Sequence, residues 1–194
     1  MIHAQGLAKR YGSKRVFAGL DLDVERGGFS VVTGPNGSGK TTLLRLVAGL
    51  ALPSAGELSV DVGRARLGFL AHQPLVYREL TALENLDLYG RLYRVSERRE
   101  RIGMLLERFG LWDARGERTA SFSRGMVQRL ALCRVFLHEP ELFLLDEPFA
   151  ALDTAGADLL DRELASRQGR STFLVATHEP QRLASLATGR LAIA

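Results

Sequence analysis

Two stretches of this chain bring together residue types that can handle phosphate: Gly34-Pro35-Asn36-Gly37-Ser38-Gly39-Lys40-Thr41 and Leu142-Phe143-Leu144-Leu145-Asp146-Glu147. The first fits the pattern G-x-x-x-x-G-K-[ST], in which glycines without a Cβ let the backbone curl closely round an anion. Successive N–H groups of such a loop, here spanning Gly34, Asn36, Gly37, Ser38 and Gly39, point inward, and the helix N-terminus behind them adds positive potential. Lys40 is placed to reach the β- and γ-phosphates of a nucleotide, Thr41 to ligate Mg²⁺ and Thr42 to add a phosphate contact. In the second stretch, four apolar residues of a buried strand end in two carboxylates. Asp146 is suited to hold Mg²⁺, mostly through water, and Glu147 to polarise an attacking water. A phosphate cradle, a hard cation and a general base together make phosphoryl transfer to water.

The elements around these residues read as follows. Phe29 to Thr33 is a continuous strand-like run that delivers the chain into the glycine-rich loop, and a helix follows from about Lys40. Leu43, Val47 and Leu50 recur in it at helical spacing, with Gly49 and Pro53 marking its end. Further on come a helix from about Arg124 to His138, a strand Leu142 to Leu145, a helix from about Thr154 to Arg167, a strand Thr172 to Thr177 and a last helix starting near Pro180. Such alternation argues for a parallel sheet covered on both faces, with ligands at the carboxyl ends of its strands. Leu20 to Val24 and Leu58 to Val62 instead alternate apolar and polar at period two, which suits half-buried antiparallel strands. From Pro74 to about Ala120 the pattern is helical. It opens with Thr81 and Glu84 spaced for a capping box, places Leu86, Tyr89, Leu92 and Tyr93 on one face, and continues in a helix carrying Ile102, Leu105, Leu106 and Phe109 that Gly110 ends.

Composition narrows the classes. A chain of 194 residues, 46% hydrophobic and 25% charged, is an ordinary globular domain with no disordered or collagenous signature. The single cysteine, Cys133, lies in an apolar run and reads as a buried structural thiol in a reducing compartment. Met1 to Gly6 has no apolar signal core, and no segment approaches the roughly 18 apolar residues of a membrane span. Net charge is +4, with basic residues spread along the chain. The densest cluster, Arg98, Arg99 and Arg101, alternates with Glu97 and Glu100 as a solvated helical face does.

In order along nearly the whole chain, these motifs resemble those of the ATP-binding cassette ATPases. The resemblance implies an α/β fold: a P-loop NTPase core with a mostly parallel sheet, an N-terminal antiparallel β subdomain and an inserted helical subdomain. One nucleotide-binding domain would span 1–194, with the core at about 1–73 and 121–194 and the helical subdomain at about 74–120. It also implies ATP and Mg²⁺ as cofactors and gives roles to residues that carry no signal alone. Tyr11 is similar to the aromatic that stacks on adenine, Gln73 to the glutamine that senses Mg²⁺ and the γ-phosphate, and His178 to the switch histidine on the γ-phosphate. Ala151-Leu152-Asp153 resembles the loop that crosses the dimer interface. The family signature Leu-Ser-Gly-Gly-Gln is matched by Phe122-Ser123-Arg124-Gly125-Met126, followed by Gln128 and Arg129, with two of five residues retained. Ser123 is placed to cap the next helix and, with Gly125, to face a partner's γ-phosphate. Arg124 adds charge there and Met126 removes a polar contact, so the departure bears on the hydrolysis rate.

The same resemblance implies a homodimer, or a paired ATPase subunit, on ATP binding. It further implies an integral membrane permease as a separate chain, no nucleic-acid partner, and a cytoplasmic place at the inner face of the cell membrane. Leu75, Tyr77, Leu80 and Leu83 beside Gln73 lie where such ATPases receive a coupling helix. The alternative is a non-transport cassette ATPase acting on DNA or the ribosome; those carry long coiled-coil insertions or two cassettes per chain. The chain stops soon after His178, which suits a minimal ATPase without a C-terminal regulatory domain. Ala71 to Leu75, Leu80 to Leu86, Tyr89 to Tyr93 and the Ser123 to Met126 signature together are similar to the ATPases of haem exporters in cytochrome c maturation.

Overall fold

The computed structural model describes residues 1–193. Five strands, β3 (Phe29–Thr33), β5 (Leu67–Leu70), β6 (Leu142–Asp146), β7 (Thr172–Ala176) and β8 (Gly189–Ala192), form one sheet in the order β5-β6-β7-β3-β8. All its pairings are parallel. Every residue of β6 and β7 is buried, which is why both read as unbroken apolar runs. Side chains alternate between the two faces of the sheet. Phe29, Val31, Phe143, Leu145, Phe173 and Val175 enter one core, and Val32, Leu142, Leu144, Leu174 and Ala176 enter the other. The first core is built round a ladder of rings, Phe29 on Phe173 at 4.9 Å and Phe143 on Phe173 at 4.8 Å between centroids.

That first core also receives α4 (Arg124–Phe136), α5 (Thr154–Ala165) and the helical block of α2 (Ala82–Leu92) and α3 (Arg98–Arg108). Cys133 is part of it, fully buried, and desolvation pushes its thiol pKa far up, so it packs as a small apolar group. The second core takes α1 (Lys40–Val47) and a three-stranded antiparallel sheet in the order β2-β1-β4, made of β1 (Ile2–Tyr11), β2 (Lys14–Val24) and β4 (Ala55–Val60). On β2, Leu20, Leu22 and Val24 are buried while Asp21 and Asp23 are exposed, as period-two alternation requires. In the helical block the capping box forms: Glu84 N–H donates to Thr81 Oγ1 at 3.1 Å and Thr81 N–H donates to Glu84 Oε2 at 2.8 Å. Gly110, at φ 65°, follows the C-terminus of α3.

Three elements depart from the sequence reading. The helix expected from Pro180 is only a 3₁₀ turn, Pro180–Leu183, after which the chain forms the edge strand β8 beside β3. Four residues with half-buried alternation give that strand almost no local signal; its pairing with β3 creates it. Leu50 lies beyond α1 and is 64% exposed, because Gly49, at φ 67°, turns the chain off the helix. Leu92 ends α2 at 65% exposure and leaves the face on which Leu86 is fully buried.

Candidate functional site

Between β3 and α1 the loop turns through Gly34, Gly37 and Gly39 at φ 152°, 83° and 110°. A Cβ at Gly39 would come within 2.7 Å of Val16 Cγ1, so this close passage beneath β2 accepts only glycine. Lys40 is 7% exposed, and its Nζ donates to Gly34 O at 2.8 Å and Pro35 O at 3.1 Å. No described carboxylate pairs with it; two carbonyl dipoles alone face a buried charge. Ser38 Oγ is buried and makes no hydrogen bond. A buried cation and an orphaned hydroxyl in one glycine loop fit a bound polyanion.

Strand β6 ends against this loop. Asp146 is 2% exposed, and its Oδ2 accepts a hydrogen bond from Thr41 Oγ1 at 2.6 Å. Glu147 follows in the left-handed region at φ 50°, a costly state for a side-chain-bearing residue, with its N–H on Ala176 O at 2.9 Å. His178 meets it from the end of β7: its N–H donates to Glu147 Oε2 at 3.2 Å, and its Nε2 lies 3.2 Å from Oε1. A cavity of about 360 Å³ opens above these groups at the carboxyl end of the parallel strands. Of the residues singled out in the sequence, Tyr11, Asn36, Gly37, Gly39, Lys40, Thr41, Thr42, Asp146, Glu147 and His178 line it. Gly34 and Ser38 lie outside its lining. Tyr11 is 51% exposed, with Lys9 Nζ 4.7 Å from its ring centroid.

The other singled-out residues lie elsewhere. Gln73 is exposed and does not line this cavity, whereas its neighbour His72 does. Ser123 caps α4, accepting from Met126 N–H at 3.2 Å. Asp153 caps α5, its Oδ1 accepting from Gly156 N–H at 2.9 Å and from Arg129 Nη2 at 2.5 Å. Those two donors, the Gly156 amide first, hold its carboxyl below the usual range. Ser123, Gly125 and Asp153 are absent from the phosphate-loop cavity; Arg124, Ala150 and Ala151, beside them in the chain, line a separate one of about 710 Å³ with His72, Arg78 and Phe122. Sequence reasoning missed Lys14 and Val16, which reach the first cavity from β2 across the Tyr11↔Lys14 pairing. Nothing local marked them, since only the strand register puts them there.

The ABC transporter family profile matches residues 17–150. The chain belongs to the ATP-binding subunits of that family. It is 39% identical over 188 residues to the daunorubicin resistance ATP-binding protein DrrA3 of Streptomyces coeruleorubidus, covering 91% of this chain and 60% of the relative. It therefore spans about three fifths of that protein's length. With the cytochrome c biogenesis ATP-binding export protein CcmA of Idiomarina loihiensis it shares 34% identity over 204 residues, covering 100% of this chain and 92% of the relative. Among solved structures, the ATP-binding cassette MJ0796, a dimer in a post-hydrolysis state bound to ADP and Pi, matches with a TM-score of 0.80 and 28% identity, over 94% of this chain and 90% of that one. The cassette thus has the P-loop NTPase fold with parallel and antiparallel sheets and helices. Among the described residues, no helix is long and apolar enough to cross a membrane.

The donor set fits Mg²⁺. No group of three or more His, Cys, Asp or Glu among the described residues could cage a metal, whereas the Thr41 hydroxyl and Asp146 carboxylate stand together. Mg²⁺ commonly takes one or two protein oxygens and completes its shell with phosphate and water.

Proposed function

We propose that this cassette binds Mg-ATP and hydrolyses it to ADP and phosphate as the ATPase subunit of a transporter. The observation that carries this reading is the Thr41–Asp146 hydrogen bond at 2.6 Å, which joins the phosphate loop to the strand that delivers Glu147. In it, Lys40 and the loop amides offset charge on the β- and γ-phosphates, and Tyr11 supports the adenine. Thr41 and Asp146 would hold Mg²⁺, which would supply further charge neutralisation. Glu147 accepts a hydrogen bond from the attacking water, and His178 fixes the carboxylate through its N–H while standing ready for the γ-phosphate. Gln73, assigned to sense the metal and the γ-phosphate, is exposed and lies outside the cavity lining.

A second copy completes the reading. Ser123, Gly125 and Asp153 would face the nucleotide of that copy in a head-to-tail pair, and the dimeric, ADP-bound neighbour supports such pairing. Closure would then drive a separate membrane permease, keeping the cassette at the cytoplasmic face of the cell membrane. Leu75, Tyr77 and Leu83, exposed at 48%, 53% and 42%, offer the apolar contact for a coupling helix on the helical subdomain of about 74–120; Leu80 is half-buried beside them. The likeness to CcmA over 92% of that protein supports haem export for cytochrome c maturation as the transport role. Isolating the native complex from membranes tests the transporter reading: a co-purifying permease is expected, and recovery of nucleic acid without a membrane protein contradicts it. Normal c-type cytochrome content in a deletion strain would remove the haem role alone.

A further inference from the structure

Gly125, Gln128 and Arg129 stand at i, i+3 and i+4 on α4, so they share one face of that helix. All three lie against the segment from Glu147 to Asp153. A Cβ on Gly125 would stand 3.0 Å from Ala151 O, so the helix rests directly on the loop there. Gln128, 7% exposed, donates from Nε2 to Pro148 O at 3.0 Å and stands 3.5 Å from Glu147 O. Arg129 reaches Asp153 and lies over Gly156, where a Cβ would come 3.1 Å from its Nε. The segment they grip holds two non-glycine residues in the left-handed region, Glu147 at φ 50° and Ala151 at φ 62°. Such conformations persist only where the surroundings over-determine them.

We infer that Gln128 is a positioning residue that ties the signature to the catalytic carboxylate, so that each chain links the two ATP sites of a pair. The inference rests on the head-to-tail pair proposed above. Ser123, which begins α4, would face the second copy's nucleotide, while Glu147 faces the chain's own. The first two turns of α4 join the two: Ser123 is the N-cap and Gln128, five residues on, donates its buried amide to Pro148 O. Because that bond falls on the Pro148 carbonyl, it governs where the Glu147 main chain lies and leaves the charge of the carboxylate alone. A shift of α4 when the signature meets phosphate would therefore be transmitted to Glu147 across the same chain.

Gln128→Met tests this, since methionine keeps the length and bulk but removes the donor. Turnover would be measured against ATP concentration in the full chain, alongside nucleotide affinity and Tm, and ATP-driven dimerisation would be followed with Glu147→Gln present. The maximal rate should fall about tenfold, one well-made hydrogen bond expressed as a rate, while nucleotide affinity changes by less than about twofold. The parent should show a sigmoidal dependence on ATP and the variant a hyperbolic one, with Tm and dimerisation retained. Unchanged rate and shape, a parent already hyperbolic, or a rate loss matched by lost Tm or affinity would overturn the inference. A parent with no turnover at all would instead strike the ATPase reading beneath it.

Discussion

The phosphate loop and the signature are both serine-and-glycine turns that enter the N-terminus of a helix, α1 and α4, yet their polar groups stand in opposite states. At α1 the cap position is Gly39 with no side-chain hydrogen bond, Ser38 Oγ is buried without a partner and Lys40 is buried against carbonyls alone. At α4 Ser123 already caps its helix, and the nearby Asp153 carboxylate is taken by Gly156 and Arg129. Unsatisfied buried groups cost folding free energy and mark where a ligand is awaited. Satisfied ones mark a surface that is finished by itself and gains a ligand only when a second molecule brings it. On the proposed reading, one chain carries one prepared phosphate site and one half-site.

Substitutions can break that contrast. Lys40→Ala should have the largest effect: loss of the main countercharge should lower ATP turnover by roughly a hundredfold or more and weaken nucleotide binding, with the fold retained. Normal turnover in the purified variant would remove Lys40 from the mechanism. Tyr11→Ala should weaken ATP binding by about 1–3 kcal/mol, the range for a base stacked on an aromatic ring, whereas Tyr11→Phe should preserve it. Equal affinities by titration would leave the adenine without its platform.

At the half-site the same kind of change should act on stability instead. Ser123→Ala removes a helix cap and should cost about 1 kcal/mol, lowering Tm by about 2–4 °C while monomer affinity for ATP stays as it was. Unchanged Tm by calorimetry would deny Ser123 its capping role. The smallest effect concerns acid. Asp153 has a depressed carboxyl pKa in the folded chain, so its contribution is present above the unfolded value near about 4 and is lost as pH falls through the lower folded value. Asp153→Asn should therefore flatten stability against pH below about pH 4. An acid limb as steep as the parent's would show that its bonds to Gly156 and Arg129 do not perturb it.

The prepared site was legible in the sequence because its chemistry is local. Eight consecutive residues make the loop, and Asp146 and Glu147 end a strand whose apolar run announces it. What escaped depends on contacts between distant segments. Lys14 and Val16 reach the cavity through strand register, and β8 exists because β3 offers it an edge. His72 lines the cavity and Gln73 does not, in a stretch after β5 that belongs to no helix or strand and so offers no periodicity to read. Gly125, Gln128 and Arg129 were visible at helical spacing, but the segment they grip lies beyond β6.

In the proposed mechanism Glu147 activates water at the chain's own nucleotide while the signature waits for that of a second copy. Glu147→Gln, followed by light scattering with and without Mg-ATP alongside turnover, addresses both halves together. An amide cannot take a proton from water, so turnover should nearly vanish, and intact ATP should then hold two chains together, converting binding into dimer stability. Monomers are expected without nucleotide and stable dimers with Mg-ATP. Full activity in the variant would contradict the role of Glu147, and an inactive, ATP-bound monomer would contradict the half-site.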